Sequence, residues 1–147
     1  MDFGSNSLEI LLVQNDPEQV RLIRDALGDS GNRHTLHDVG NGETALTFLR
    51  REGAHAASPR PDLVLLDLDG AAVDGCGLLK TVKGDPALRS IPVVVIASSA
   101  ADAEVLRSYN LHANCYVTKP DSPEQHRQVV RALEEFWCGT IKLPPRQ

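Results

Sequence analysis

Short apolar runs alternate with longer amphipathic stretches along the chain, and this alternation repeats five times. Short apolar runs without polar alternation are typical of strands buried on both faces of a parallel sheet. Strands are predicted over residues 8–13, 35–39, 63–66, 93–96 and 115–117, the second being more polar and close to a sheet edge. Because the connections are too long for hairpins, we predict an α/β fold, a doubly wound five-stranded parallel sheet with right-handed crossovers and helices on both faces.

Local signals place the helices between these strands. Pro17 suits the first position of a helix, and Asp16 before it can accept a hydrogen bond from the free N–H groups at that end. Asp102 is predicted to cap the fourth helix in the same way. The other helices are predicted over about 43–51, 77–83 and from Pro123, the last with an apolar side formed by His126, Val129, Val130, Leu133 and Phe136.

Composition narrows the class of protein. The 147 residues are enough for one domain, predicted over 8–138 between a flexible segment 1–7 and a tail 139–147. A net charge of -5 without a basic stripe argues against nucleic acid and against an anionic membrane. The absence of a long apolar run or a signal pattern predicts a cytoplasmic protein. Three cysteines without CxxC spacing predict free thiols and neither disulfides nor a zinc site.

In the most informative stretch, residues 61–75, a buried strand ends at an aspartate, Asp67. Ligands of open parallel sheets bind outside the carboxyl ends of the strands. The ends of the other strands bring residues 14–16, Ala97 with Ser98, and Lys119 toward the same crevice. An aspartate facing a lysine there is often a structural ion pair, but the loop with Asp69, Gly70, Asp74 and Gly75 is open enough to admit a small anion or a metal.

Several motifs resemble the receiver domains of response regulators in two-component signalling, over about residues 8–137. They are the Leu-Leu-Val strand followed by a polar triplet and Pro17, the segment 62–67 with Asp74-Gly75 after it, the segment 85–92, and Tyr116-Val-Thr-Lys119-Pro120. The resemblance implies a flavodoxin-like (βα)5 fold with strand order 2-1-3-4-5. The closing segment 135–145 is similar to the single-domain receivers that partner bacterial phytochromes.

The resemblance also implies roles for individual residues. Asp67 matches the phosphoacceptor, Lys119 the lysine that pairs with the phosphoryl group, and Tyr116 the aromatic side chain that reorients on activation. The Lys119–Pro120 bond matches one that is usually cis. A carboxylate can accept a phosphoryl group when cations, normally Mg²⁺ and a lysine, neutralise the transferring oxygens.

Two departures from the family pattern concern the metal and the switch. Gln14 and Asn15 stand where receivers have acidic residues that bind Mg²⁺ together with the phosphoacceptor and a backbone carbonyl, here that of Asp69. Mg²⁺ prefers carboxylates, so its site is predicted to be weak or lost. Asp16 could compensate only by leaving its capping position.

Ala97 stands where the family has the Thr or Ser that binds the phosphoryl oxygen. Ser98 is predicted to point to the opposite face if the strand continues through it, because successive side chains of a strand alternate. Without metal, we expect Asp67 to pair directly with Lys119.

Two functions are compatible with these observations. The first is a stand-alone receiver that signals through protein contacts and is weakly or not phosphorylated at Asp67. The alternative is an active receiver that takes a phosphoryl group from a sensor histidine kinase, such as a bacteriophytochrome. An independent enzyme is disfavoured, because the sequence has no Ser-His-Asp set and no glycine-rich phosphate loop after the first strand.

The C-terminal segment suggests a partner surface. Phe136, Trp137, Ile141 and Leu143 are large apolar residues at the end of a chain that has already supplied a core. They predict a homodimer or partner-binding face built from the fourth and fifth helices, the fifth strand and the tail. In the alternative, these residues fold back on their own sheet.

Overall fold

The computed structural model describes residues 7–29, 31–69 and 74–145. The strands are β1 (Glu9–Val13), β2 (Thr35–Val39), β3 (Leu63–Asp67), β4 (Val93–Ala97) and β5 (Cys115–Thr118). The helices are α1 (Pro17–Gly28), α2 (Gly42–Leu49), α3 (Gly75–Gly84), α4 (Asp102–Asn110) and α5 (Pro123–Glu135). A 3₁₀ turn (Gly53–His55) follows α2, and a π-helical turn (Phe136–Thr140) follows α5.

All neighbouring strands are parallel, in the order β2-β1-β3-β4-β5. The predicted fold class is therefore confirmed, as is the position of the polar strand β2 at an edge. Every residue of β3 and β4 is buried, which explains their nearly unbroken apolar sequences. Side chains that alternate along the strands supply two separate cores, one on each face of the sheet.

Helix starts follow local chemistry in most cases. Asp16 caps α1 by accepting a hydrogen bond from the N–H of Glu18 (2.9 Å), with Pro17 next to it as predicted. Ser122 caps α5 in the same way through the N–H of Gln125 (3.1 Å). The prediction for Asp102 is wrong: Asp102 is the first residue of α4, where a negative charge in the first turn still favours the positive helix end.

Other differences lie at element ends. The helix predicted over 43–51 ends at Leu49, because the chain turns into a positive φ of 55° at Arg51. The helix predicted from 77 already starts at Gly75, where a Cβ atom would lie 2.3 Å from the Leu68 side chain. Part of the predicted segment 1–7 and the middle of the loop after Asp67, residues 70–73, lie outside the described residues.

The C-terminal segment packs against the core formed by α1, α5 and the sheet. Trp137 is buried there, and Ile141 and Leu143 pack against the same cluster. The fold-back alternative is therefore confirmed for Trp137, and Ile141 and Leu143 follow it while staying partly exposed. A partner face built from the fourth and fifth helices, the fifth strand and the tail stays a prediction. Phe136 was expected on the apolar side of α5, but it is 47% exposed because successive residues of a helix lie about 100° apart.

We predict that Trp137→Ala and Phe136→Ala have very different effects on stability, although the two residues are adjacent. Loss of the buried indole should lower the free energy of unfolding by about 3–5 kcal/mol. Loss of the exposed ring should cost about 1 kcal/mol or less. Urea unfolding of both variants measures the difference; equal losses would show that the C-terminal segment does not belong to the core.

Candidate functional site

The site lies at the carboxyl ends of β1, β3 and β5, where the sequence predicted it. Asp67 is the last residue of β3 and is completely buried. Gln14 follows β1 and Lys119 follows β5, and both contact the Asp67 carboxylate. The crossover topology thus brings together three side chains that are far apart along the sequence.

The Asp67 carboxylate is fully engaged by neighbouring donors. Its Oδ2 accepts a hydrogen bond from Gln14 Nε2 and forms an ion pair with Lys119 Nζ. Its Oδ1 accepts the backbone N–H of Asp69 (2.9 Å). The expected direct pairing of Asp67 with Lys119 is therefore confirmed.

Asp69 contributes a second carboxylate, and sequence reasoning had considered only its backbone carbonyl. Its Oδ2 lies 2.9 Å from Lys119 Nζ and accepts the Ser98 hydroxyl at 2.7 Å. Its Oδ1 accepts the N–H of Ser98 at 3.2 Å. The Asp-Leu-Asp spacing was an available signal, since alternate residues of an extended chain point the same way.

The titration of these groups follows from burial and pairing. Burial raises the pKa of Asp67 above its ordinary value, more than the hydrogen bond from Lys119 lowers it. Burial alone would also lower the pKa of Lys119, but the hydrogen bonds to Asp67 and Asp69 raise it. For Asp69, partial burial is outweighed by the hydrogen bonds from Ser98 and Lys119, so its pKa is lowered. The lysine is therefore charged and shared by two carboxyl groups.

The residues at the expected metal position do not fit Mg²⁺ as they are arranged. Gln14 Oε1 accepts the N–H of Asp16 (3.0 Å), which directs the amide nitrogen, and not an oxygen, toward Asp67. Asn15 is exposed, and Asp16 serves as the helix cap. Magnesium needs oxygen ligands in octahedral geometry, and the oxygens of Asp67 already accept hydrogen bonds.

The switch positions differ partly from the prediction. Ala97 is buried at the end of β4, as expected for its place in the strand. Ser98 was predicted to face away from the site if the strand continued through it. That condition is not met, because β4 ends at Ala97, and the Ser98 hydroxyl donates to Asp69. Tyr116 donates its hydroxyl hydrogen to the Ser99 carbonyl (2.7 Å).

The expected cis Lys119–Pro120 bond is also wrong, because every peptide bond of the described residues is trans. Lys119 nevertheless reaches both carboxylates, and its N–H donates to the Ala97 carbonyl at 2.8 Å. Trans is also the intrinsically favoured isomer of an X–Pro bond. The contacts of the lysine therefore form with the favoured isomer.

His126 is a buried residue beside the site. The sequence had indicated it only as part of the apolar side of a helix. It lines a cleft of about 440 Å³ together with Gln19, Asp69, Ser98 and Lys119. Neither of its ring nitrogens has a hydrogen-bond partner among the described residues. Burial and the nearby Lys119 charge lower the pKa of His126, so the ring is neutral.

At the opposite end of the sheet, His34, Glu134 and Cys138 bring their polar atoms within 4.8 Å of one another. His34 Nδ1 accepts the N–H of Leu8 (3.0 Å), so the neutral ring carries its proton on Nε2, toward Cys138 at 3.5 Å. A metal would need the lone pair of Nε2. The cluster is therefore a hydrogen-bonded contact that fastens the C-terminal turn to the start of β1, and burial raises the pKa of the Cys138 thiol to about 12.

We predict that His126→Leu stabilises the protein by about 1–2 kcal/mol, because it removes two buried nitrogens that have no hydrogen-bond partner within residues 7–29, 31–69 and 74–145. The lowered pKa also means that wild-type stability is lost as the pH falls below about 6.5, the value in the unfolded chain. Thermal unfolding at about pH 7.5 and about pH 5.5 should show that the variant loses less stability than the wild type on acidification. His34 contributes equally to both proteins. An identical acid loss would contradict this role.

Comparison with known proteins agrees with this fold. The family profile "Response regulator receiver domain" matches residues 10–131. The response regulator Rcp1 of Synechocystis sp. is 39% identical over 135 residues, which cover 92% of each chain. No helix in the described part of the chain is long and apolar enough to cross a membrane.

Solved structures extend this similarity to three dimensions. The phosphorylated cyanobacterial phytochrome response regulator RcpA superposes with a TM-score of 0.90 at 42% identity, over 95% of this chain and 99% of that one. The Mn²⁺-bound form of Rcp1 gives a TM-score of 0.88 at 38% identity, over 94% and 99%. The chain therefore belongs to the family of response regulator receiver domains, regulatory proteins of phosphorelay signalling.

Proposed function

We propose that this receiver signals through protein contacts and accepts a phosphoryl group at Asp67 weakly or not at all. The observation that carries the proposal is the closed environment of Asp67. Its side chain is completely buried, and both of its oxygens already accept hydrogen bonds from Gln14, Lys119 and the Asp69 N–H. The oxygen that attacks a phosphoryl donor must first be freed from its own hydrogen-bond donors.

The charge balance of the pocket supports the same proposal. Phosphoryl transfer depends on cations that neutralise the transferring oxygens. Lys119 supplies one positive charge, and the carboxylates of Asp67 and Asp69 share it. With amides at Gln14 and Asn15 in place of carboxylates, we propose that Mg²⁺ binds weakly. Each missing unit charge represents ~4 kcal/mol of gross attraction at ~4 Å in an effective dielectric of about 20.

The alternative is an active phospho-receiver, and one observation favours it. Asp67 and Lys119 are adjacent at the ends of β3 and β5, which is the pair that the transfer itself requires. The phosphoryl donor would be a sensor histidine kinase. A phytochrome is the proposed kinase, because the similar protein RcpA is a phytochrome response regulator.

The proposed partner surface consists of α4, β5 and α5. On α4, Leu106 is 60% exposed and Tyr109 is 46% exposed, and β5 is an edge strand of the described sheet. Exposed apolar residues beside a strand edge are suited to protein association, and we propose a homodimer or a kinase contact here. We propose that the tail, predicted over 139–147, borders this surface, because Ile141 packs against the core cluster that contains Val130 of α5. The receiver unit itself is proposed over 8–138.

The remaining proposals concern nucleic-acid and membrane binding, the cellular location and enzymatic activity. With a net charge of -5, the chain is not proposed to bind nucleic acid or an anionic membrane, and its setting is the cytoplasm, where histidine kinases present their phosphoryl groups. It is proposed to be a regulator without an enzymatic reaction of its own.

We predict that acetyl phosphate with Mg²⁺, or a cognate kinase, gives little or no stable phosphorylation of Asp67. The double variant Gln14→Glu with Asn15→Asp should be phosphorylated more, because the new carboxylates supply metal ligands next to a nucleophile and a lysine that are already present. A phosphate-sensitive gel measures the modified fraction.

Asp67→Asn is the matched control, since it removes the nucleophile and leaves the shape of the side chain. Stoichiometric phosphorylation of the wild type, absent in Asp67→Asn, would contradict the proposal and establish the active alternative. A double variant that stays unmodified would show that the amides are not what limits the reaction.

We also predict that Leu106→Glu weakens self-association at micromolar concentration, because it places a charge on the proposed surface. Ala56→Glu, at another exposed position, is the control and should leave association unchanged. Sedimentation velocity measures both. A wild-type protein that is monomeric over the same range would remove the homodimer from the proposal.

A further inference from the structure

Asp69 occupies the donors that a phosphoryl group on Asp67 would need. We propose that Asp69 is a positioning residue that acts as an internal anion, holding Lys119 and the β4–α4 loop in place of a phosphoryl group. The inference rests on the proposed function, because it concerns the same site. It explains how this site can be ordered while Asp67 is unmodified.

The geometry around Asp69 is that of a bound anion. Its carboxylate accepts hydrogen bonds from an ammonium, a hydroxyl and a backbone N–H, namely Lys119 Nζ (2.9 Å), Ser98 Oγ (2.7 Å) and Ser98 N (3.2 Å). Hydrogen bonds to an ionised acceptor are stronger than neutral ones. Phosphoryl oxygens are recognised by the same kinds of donor. One carboxylate therefore joins the ends of β3, β4 and β5.

The donors held by Asp69 cannot serve a second anion at the same time. A phosphoryl group on Asp67 would have to share Lys119 with Asp69 and would bring about two negative charges beside that carboxylate. The hydrogen bonds from Ser98 and Lys119 hold the Asp69 carboxylate in place beside Asp67. Asp69 therefore opposes the modification of Asp67 by repulsion as well as by occupying its donors.

The anchored loop continues to Tyr116. Ser99, the residue after the one that Asp69 binds, accepts the Tyr116 hydroxyl hydrogen at 2.7 Å. The N–H of Tyr116 donates to the Tyr109 hydroxyl of α4 at 3.2 Å. By fixing the loop, Asp69 thus fixes the aromatic side chain of β5 beside the proposed partner surface. The position of this side chain then does not depend on phosphorylation.

The first test measures amide hydrogen exchange of residues 98–101 by NMR in the full chain. Asp69→Asn keeps the shape of the side chain and removes its charge, and it should speed exchange in this loop roughly tenfold, as expected for the loss of charge-assisted hydrogen bonds. Asp38→Asn is the control: Asp38 is also a partly exposed carboxylate paired with one cation, Arg24 at 3.1 Å, but it lies on β2. The control should leave exchange in the loop unchanged.

The second test adds Asp69→Asn to the double variant Gln14→Glu with Asn15→Asp and measures phosphorylation of Asp67 by acetyl phosphate. Removal of a competing anion should increase the modified fraction several-fold. A residue that merely supports the structure would lower this fraction when substituted. Ser98→Ala, which leaves Asp69 in place, should speed amide exchange in the loop by a smaller factor. If circular dichroism shows that Asp69→Asn is not folded, Ser98→Ala replaces it in the first test.

The outcomes separate this inference from the proposed function. Unchanged exchange in Asp69→Asn and Ser98→Ala, or lower phosphorylation of the triple variant than of the double variant, would overturn the role of Asp69. Phosphorylation of the wild type at Asp67 would overturn the proposed function, and the exchange comparison would still decide whether Asp69 holds the loop.

Discussion

The contact on which the site depends is a single buried ammonium group between two carboxylates. Lys119 is only 10% exposed, and it pairs with Asp67, which is completely buried, and with Asp69, which is partly exposed. A charge removed from water is costly unless it is paired and hydrogen-bonded. The remaining contacts of the site meet this requirement: the Gln14 amide and the Asp69 N–H supply donors to Asp67, and Ser98 supplies donors to Asp69.

This arrangement leaves both oxygens of the Asp67 carboxylate occupied by hydrogen-bond donors. A receiver that waits for a phosphoryl group needs free donors and an accessible nucleophile, whereas here Asp67 is buried and Lys119 is shared with Asp69. The neutral Gln14 makes the closed state favourable, because an amide can donate to Asp67 where a carboxylate would repel it. The Gln14 amide thus adds a donor to the hydrogen-bond network around Asp67.

The sheet that carries the site is stabilised at its opposite end by a different set of contacts. Trp137 closes the core on the α1 and α5 side, and His34 links the N–H of Leu8 to Cys138 near the C-terminal turn. These residues belong to the early and late parts of the chain, so they join its ends at the side of the sheet away from Asp67. The contacts at the two ends of the sheet therefore involve different residues.

The sequence by itself determined the five strands, their parallel arrangement and the residues at their carboxyl ends, because buried strands and helix caps are encoded locally, as at Leu63–Asp67 and Asp16. It also identified Asp67 and Lys119 as neighbours. Only the tertiary structure decided which way the Gln14 amide faces, that the side chain of Asp69 binds Lys119, and that Trp137 is buried while Phe136 is exposed. These properties depend on contacts between elements far apart in the chain, and the local pattern of residues does not specify such contacts.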